Sequence, residues 1–210
     1  GPSLAITTTG TAYGLIRSEA SHELRFTTWN NGAWTPFAAL GPGITTREQP
    51  SLRAAGASAH AVFHGDDFKY YHALFTGAAI PQPEPVGAGA SQSFGPSPAT
   101  IVASPTFPVG ATATVAFING AAQNHVFSRD RGAAGWNADQ EIDPGNTNFN
   151  LAPDLIRLTA GPELMAVWVR SGDNQVLYAT RSNGVWSASG LVPNTFSGDR
   201  VSLAELPGGG

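Results

Sequence analysis

Leu24-Arg25-Phe26-Thr27-Thr28-Trp29-Asn30-Asn31-Gly32-Ala33-Trp34 and, far downstream, Val176-Leu177-Tyr178-Ala179-Thr180-Arg181-Ser182-Asn183-Gly184-Val185-Trp186 follow one pattern. In each, an aromatic residue sits in an apolar strand, an Asn-Gly pair follows, and a Trp opens the next strand. Asn-Gly between two such runs signals a two-residue hairpin, because both residues tolerate the left-handed backbone that the tight turn requires. A second unit keeps the aromatic and glycine at the same separation, Tyr71 and Gly77, with Ala79 in place of the Trp; a third has Phe127, Gly132 and Trp136, with two extra residues between the last two.

Outward from this phrase each unit repeats a larger plan. Upstream lies a second apolar strand: Tyr13-Gly14-Leu15-Ile16, Ala61-Val62-Phe63, Val115-Ala116-Phe117 and Ala166-Val167-Trp168. Further upstream is a third: Ser3-Leu4-Ala5-Ile6, Ser51-Leu52-Arg53, Ala99-Thr100-Ile101-Val102 and Asp154-Leu155-Ile156-Arg157. Each of these is introduced by a proline (Pro2, Pro50, Pro98, Pro153), which costs no ladder bond at a strand's first residue. The segment after the turn supplies the fourth, outermost strand. Phe26, Tyr71, Phe127 and Tyr178 recur at roughly 45–56 residues, the period of four-stranded propeller blades. The reading is an all-β propeller of four-stranded antiparallel blades, in units 2–40, 50–87, 98–143 and 153–192 of one propeller or part of one. A blade covers its two faces only by leaning on its neighbours.

A fifth inner strand is expected over 199–206, ahead of Pro207-Gly208-Gly209-Gly210. Two readings of it stand open: a larger propeller of which these units are part, or closure of a ring within one chain or through self-association. An uncovered blade edge otherwise presents unpaired backbone and bare apolar surface. The Pro-, Gly- and Ser-rich stretch from Pro81 to Pro98 and the Asn- and Thr-rich stretch from Asp143 to Asn150 read as surface loops at blade junctions, where binding residues gather. Gly1-Pro2 reads as native sequence, since Pro2-Ser3-Leu4 matches Pro50-Ser51-Leu52.

Composition narrows the partners. The net charge is -4, with one lysine, Lys69, so no basic stripe exists to neutralise a row of phosphates, and nucleic acid is not expected. Cysteine is absent, which rules out a disulfide framework and a thiolate zinc site. No apolar run is long enough to span a bilayer, and the first residues carry no signal-peptide pattern. The expectation is a soluble, secreted or cell-surface protein, with any leader already removed; bacterial exported proteins often lack cysteine as this one does.

Ser128-Arg129-Asp130-Arg131-Gly132-Ala133-Ala134-Gly135-Trp136 resembles the Asp-box of sialidases and related bacterial repeats, Ser-x-Asp-x-Gly-x-Thr-Trp, with one residue too many before the Trp and no Thr. Units one and four keep only the Gly and the Trp. The chain as a whole looks like sialidase-type propellers and the similar bacterial propeller lectins that bind fucose and other sugars. The resemblance implies that Asp130 is a turn residue, its carboxylate accepting backbone N–H groups, and that the Trp packs on the strand pair.

Three sets of side chains are candidates for chemistry. A sialidase-like glycoside hydrolase needs an activated tyrosine, for which Tyr70 is the candidate, and arginines about a central channel, for which Arg53 and Arg157 are placed but a third is missing. No catalytic residue is therefore assigned. His60, His64 and His72, with Asp66 and Asp67, crowd one hairpin, and His60, His64 and Asp66 are candidates for a metal, although Gly65-Asp66-Asp67 also reads as an ordinary turn. Sugar rings stack their C–H faces on aromatic rings while amides bond their hydroxyls, so Trp29, Trp34, Asn31, Trp136, Asn137, Asn183 and Trp186 form the candidate ligand-binding set. Trp168 reads as core. No cofactor is called for. The leading expectation is a non-catalytic carbohydrate-binding (lectin-like) or adhesive propeller with a glycan or cell-surface carbohydrate as partner; the alternatives are a protein–protein interaction scaffold and a sialidase-like hydrolase.

Overall fold

The computed structural model describes residues 2–46, 48–77, 79–86, 99–103, 112–119, 124–145, 147–148, 151–159 and 161–204. Its strands form four antiparallel sheets that follow one another along the chain. The first holds β1 (Ser3–Ile6), β2 (Ala12–Arg17), β3 (Leu24–Asn30), β4 (Ala33–Trp34) and β5 (Ala38–Ala39). The second holds β6 (Ser51–Ala55), β7 (Ser58–His64), β8 (Tyr70–Phe75) and β9 (Glu84–Pro85). The third holds β10 (Thr100–Ala103), β11 (Ala113–Asn119), β12 (His125–Gly132), β13 (Gly135–Trp136) and β14 (Gln140–Asp143), and the fourth β15 (Asp154–Arg157), β16 (Leu164–Val169), β17 (Gln175–Ser182), β18 (Val185–Trp186) and β19 (Gly190–Phe196). Each sheet is a meander from the inner strand outward, and in three of them the outermost strand is split into two short pieces on the same partner. Pro98 and most of the Pro81–Pro98 loop lie outside the described residues, as do Asn146, Phe149 and Asn150 of the second loop.

The turns are built as their residues dictate. Asn31 and Gly32, and again Asn183 and Gly184, have positive φ (52°, 84°, 51° and 77°), the left-handed pair that a two-residue hairpin needs and that Asn and Gly tolerate. The inner strands lie side by side in chain order, β1 against β6, β6 against β10 and β10 against β15.

Three apolar clusters fill the spaces between consecutive sheets. Tyr13, Leu15 and Phe26 meet Phe63 and Phe75 between the first and second. Val62 and Tyr70 meet Val115 and Phe117 between the second and third, and Ala116 and Val126 meet Trp168 and Leu177 between the third and fourth. Burying one such aromatic or aliphatic side chain is worth about 1.5–3 kcal/mol, against about 0.2–1 kcal/mol for a cross-strand pair. Sheet-on-sheet packing therefore holds the array together, and β7 and β11 are buried on both faces for that reason. This radial stacking of four-stranded meanders is the architecture of β-propeller blades.

The repeat differs from the sequence reading by one residue in two units. Phe26, Tyr71, Phe127 and Tyr178 all lie on the third strand of their sheets, opposite Leu15, Phe63, Phe117 and Val167. Tyr71 and Phe127 nevertheless face the preceding sheet, whereas Phe26 faces the following one and meets Phe75 at 5.7 Å between ring centres. A one-residue slip sends a strand's side chains to the opposite face. The positions equivalent to Phe26 and Tyr178 are His72 and Ser128, each opposite the outer-strand residue that matches Ala38 and Gly190, namely Glu84 and Gln140.

The segment expected as a fifth inner strand carries no strand over its described part, 199–204, while Glu205 and Leu206 lie outside the described residues. Its Leu203 backbone N–H donates to Asp154 Oδ2 of the fourth sheet's inner strand at 2.7 Å.

Candidate functional site

The Trp residues of the candidate binding set have different surroundings. Trp186 donates its indole N–H to Ser128 Oγ of the third sheet at 2.8 Å, and Trp136 sets its ring edge-on to His72 of the second sheet at 5.3 Å. Both dock on the sheet before their own. Trp29 and Trp34 pair with each other, ring centres 5.5 Å apart, and Trp34 remains 48 % exposed. Asn31 and Asn183 are exposed turn residues, and Asn137 is exposed with its backbone N–H on the Asp130 carbonyl. The structure thus spreads the set over three sheets rather than gathering it round one ligand.

Asp130, expected to cap a turn through backbone N–H groups, does something else. It lies in β12, accepts the Thr114 hydroxyl at 2.6 Å, and is gripped by both terminal nitrogens of Arg181 from the fourth sheet at 2.8 and 2.6 Å. Both partners are buried, so this is an inter-sheet bolt. Trp168, wholly buried, donates its indole N–H to Asp143 Oδ2, which also holds Ser189 Oγ through its other oxygen.

His60 and His64 point to one side of β7, but four strand residues span about 13 Å, too far for one cation. His60 Nδ1 lies 3.0 Å from His72 Nε2; His72 Nδ1 lies 2.9 Å from Glu84 Oε1; Arg131 Nε donates to the same Glu84 oxygen at 2.6 Å. Since the carboxylate accepts, neutral His72 carries its proton on Nδ1 and its bare Nε2 accepts from His60. Burial pushes both imidazoles down to about 4, and the neighbouring charges modify that only in part. Burial alone would raise the Glu84 carboxyl, but its bonds to Arg131 and His72 outweigh it and hold it below the usual range. His64 lies tilted against Tyr70, ring centres 4.9 Å apart, and Asp66 faces His22 of the first sheet at 3.7 Å. Among the described residues no group of three His, Asp or Glu side chains is placed to hold a metal.

Tyr70, the residue a hydrolase reading would use, is 2 % exposed between the second and third sheets, and its hydroxyl donates to the Ile118 carbonyl at 3.2 Å. Arg53 does lie toward the inner strands, where its guanidinium stands 3.7 Å from buried Asp154 of the fourth sheet.

An open cleft of about 160 Å³ lies where the first sheet's outer loop crosses to the second. Ile44 and Thr45 form one wall, Phe63 and Tyr71 the other, and Gly65, Asp66 and Asp67 the rim. The walls are joined by backbone: Asp66 N–H donates to the Thr45 carbonyl, Thr46 bridges Gly65, and Thr46 Oγ1 donates to the His64 carbonyl at 2.5 Å. Tyr71 stacks on Phe63 at 5.6 Å and 17°, and its hydroxyl donates to Asp67 Oδ2 at 2.7 Å. Burial, reinforced by Asp67, pushes that phenol up to about 12, so it stays a donor throughout the physiological range. A Cβ on Gly65 would stand 2.6 Å from Asp67 Oδ1 and 2.9 Å from the Tyr71 ring, so only glycine leaves the cleft its shape. An aromatic face, two carboxylates and a threonine around a small opening can stack one ring and bond its hydroxyls. The sequence hid this site because Gly65-Asp66-Asp67 looks like any turn; the proximity of Tyr71 to that turn in the hairpin was the available signal.

No protein-family model matches the chain, and no curated protein does either. Solved structures do. The chain is similar to a mutant of AofleA from Arthrobotrys oligospora, with a TM-score of 0.64, 15% identity, and coverage of 92% of this chain and 57% of that one. It is similar to the Aleuria aurantia lectin in complex with alpha-methyl-L-fucoside, with a TM-score of 0.61, 11% identity and coverage of 94% and 62%. It is similar also to the subtype N11 neuraminidase-like protein of A/flat-faced bat/Peru/033/2010 (H18N11), with a TM-score of 0.56, 10% identity and coverage of 89% and 50%. The fold is therefore the β-propeller shared by propeller lectins and neuraminidase-like proteins, and this chain spans between half and two thirds of the length of these three.

Proposed function

We propose that this chain is a non-catalytic carbohydrate-binding or adhesive propeller, and that the cleft between its first and second sheets is the sugar site. The observation that carries the reading is the constellation of Tyr71, Asp66, Asp67 and Thr45 around an opening that only Gly65 keeps clear. The cleft is smaller than the roughly 300–1,000 Å³ of drug-sized ligand sites, so it takes a single sugar ring at the end of a glycan. Two similar structures of one protein, the fucose-specific lectin from Aleuria aurantia, support the class of ligand, one of them in complex with alpha-methyl-L-fucoside. A glycan or cell-surface carbohydrate as ligand accords with a secreted or surface-exposed protein. The test is a glycan array probed with the full chain beside Tyr71→Ala. Binding to a defined terminal sugar that the variant loses supports the proposal; an array on which no sugar exceeds background removes it.

A further inference from the structure

The three sheet-to-sheet contacts within the chain follow one recipe. Each following sheet presents an aromatic on its leading face: Phe75 from the third strand of the second, and Trp136 and Trp186 from the outer hairpins of the third and fourth. Each preceding sheet receives it at one ladder position. Phe26 receives Phe75 at 5.7 Å, His72 receives Trp136 at 5.3 Å, and Ser128 receives Trp186 at 2.8 Å. The fourth receiving position is Tyr178, opposite Val167 and Gly190 as Ser128 is opposite Ala116 and Gln140. The fourth aromatic to be received is Trp34, placed in its hairpin as Trp136 and Trp186 are in theirs.

Among the described residues neither has a sheet against it. Tyr178 is 37 % exposed, with Val185 at 70 % on the same face. Trp34 stands in an open apolar cleft of about 510 Å³ with Leu4, Gly14, Ile16 and Phe37. Among the described residues, no strand contact like those joining consecutive sheets joins the fourth to the first. Large apolar patches of this kind mark interaction surfaces.

We propose that these two faces are an interface between copies of this chain, the leading face of one seating its Trp34 against Tyr178 on the trailing face of the next. What argues for a second copy as occupant is that the two faces carry the two halves of a contact that the chain already makes twice, through Trp136 and again through Trp186. The contact is head to tail, so two different patches meet, and the assembly closes as a ring or grows according to the rotation per copy.

The test is light scattering on the full chain across a hundredfold range of concentration, with Trp34→Glu, Tyr178→Glu and Val185→Glu beside it and circular dichroism as a check on folding. The wild type is expected at a multiple of 21.7 kDa, and each variant at the monomer mass. Mixing Trp34→Glu with Tyr178→Glu restores one intact pair of faces and is expected to give a dimer; Val185→Glu replaces Tyr178→Glu in the mixture should the latter fail to fold. A wild type that stays monomeric at every concentration overturns the proposal. An oligomer that the variants leave intact, or variants that fail to complement, overturns it equally.

Discussion

Arg181 reaches from the fourth sheet to the third and holds both carboxylate oxygens of Asp130, at 2.8 and 2.6 Å, with both side chains buried. Glu163 stands 3.8 Å from the same guanidinium, and Thr114 bonds the same carboxylate. A buried ion pair adds little over an apolar pair of the same shape, yet removing one member strands the other charge. Asp130→Ala is therefore expected to cost about 3–5 kcal/mol, and Asp130→Leu combined with Arg181→Met to recover most of it. Urea unfolding of the three proteins checks this; a double variant as unstable as the single one would contradict it.

The bond between Trp186 and Ser128 is separable from the packing of the ring. Trp186→Phe keeps most of the apolar contact and removes the indole N–H, for an expected loss of about 1 kcal/mol. Adding Ser128→Ala should then cost little more, because the hydroxyl has already lost that donor. Denaturant midpoints of the two single variants and the double close the cycle, and simply additive losses would show that the two residues do not act as a pair.

Stability should fall as the solution is acidified through a defined window. His60 and His72 titrate at about 4 in the fold against an ordinary 6.5, so between those values the unfolded chain binds more protons than the folded one. What the neutral pair contributes is whole above pH 6.5, declines as pH drops through the window, and is gone below about 4. At about 1.4 kcal/mol per pH unit, the loss is at most about 3.5 kcal/mol for each histidine. His64 and Glu84, both held below their ordinary values, act in the same sense. Thermal midpoints taken from about pH 7 to about pH 4 should decline steadily, and a flat profile across that window would refute the buried relay.

Gly65→Ala should close the cleft without unfolding the protein. The added methyl meets Asp67 Oδ1 at 2.6 Å and the Tyr71 ring at 2.9 Å, and relieving such overlap costs about 1–3 kcal/mol. Because Asp67 is exposed and Tyr71 half-buried, both can shift, at the expense of the opening between them. The variant should retain its strand dichroism and lose glycan binding; unchanged binding would place the sugar elsewhere.

The blades are legible in the sequence because a sheet with both faces covered must be apolar throughout its middle strands and must turn tightly between them. Asn31-Gly32 and Asn183-Gly184 announce the turns. The register in units two and three is masked, because Tyr71 and Phe127 supply an aromatic one residue early, where His72 and Ser128 hold the equivalent place. A signal of the slip is present: Trp136 follows Phe127 by nine residues, whereas Trp34 and Trp186 follow Phe26 and Tyr178 by eight. Asp130 passes for a turn residue because its true partner, Arg181, lies 51 residues away and no local pattern points to it. The cleft escapes a sequence reading for the same reason. Thr45 comes from one sheet's outer loop and Tyr71 from the next sheet's third strand, and only stacking brings them together.

The most direct measurement is a calorimetric titration of the array's best terminal sugar into the chain, repeated on Gly65→Ala and Tyr71→Ala. Saturable heat with one sugar per chain is expected for the wild type, and none for either variant. Equal heats from all three proteins would contradict the cleft as the sugar site.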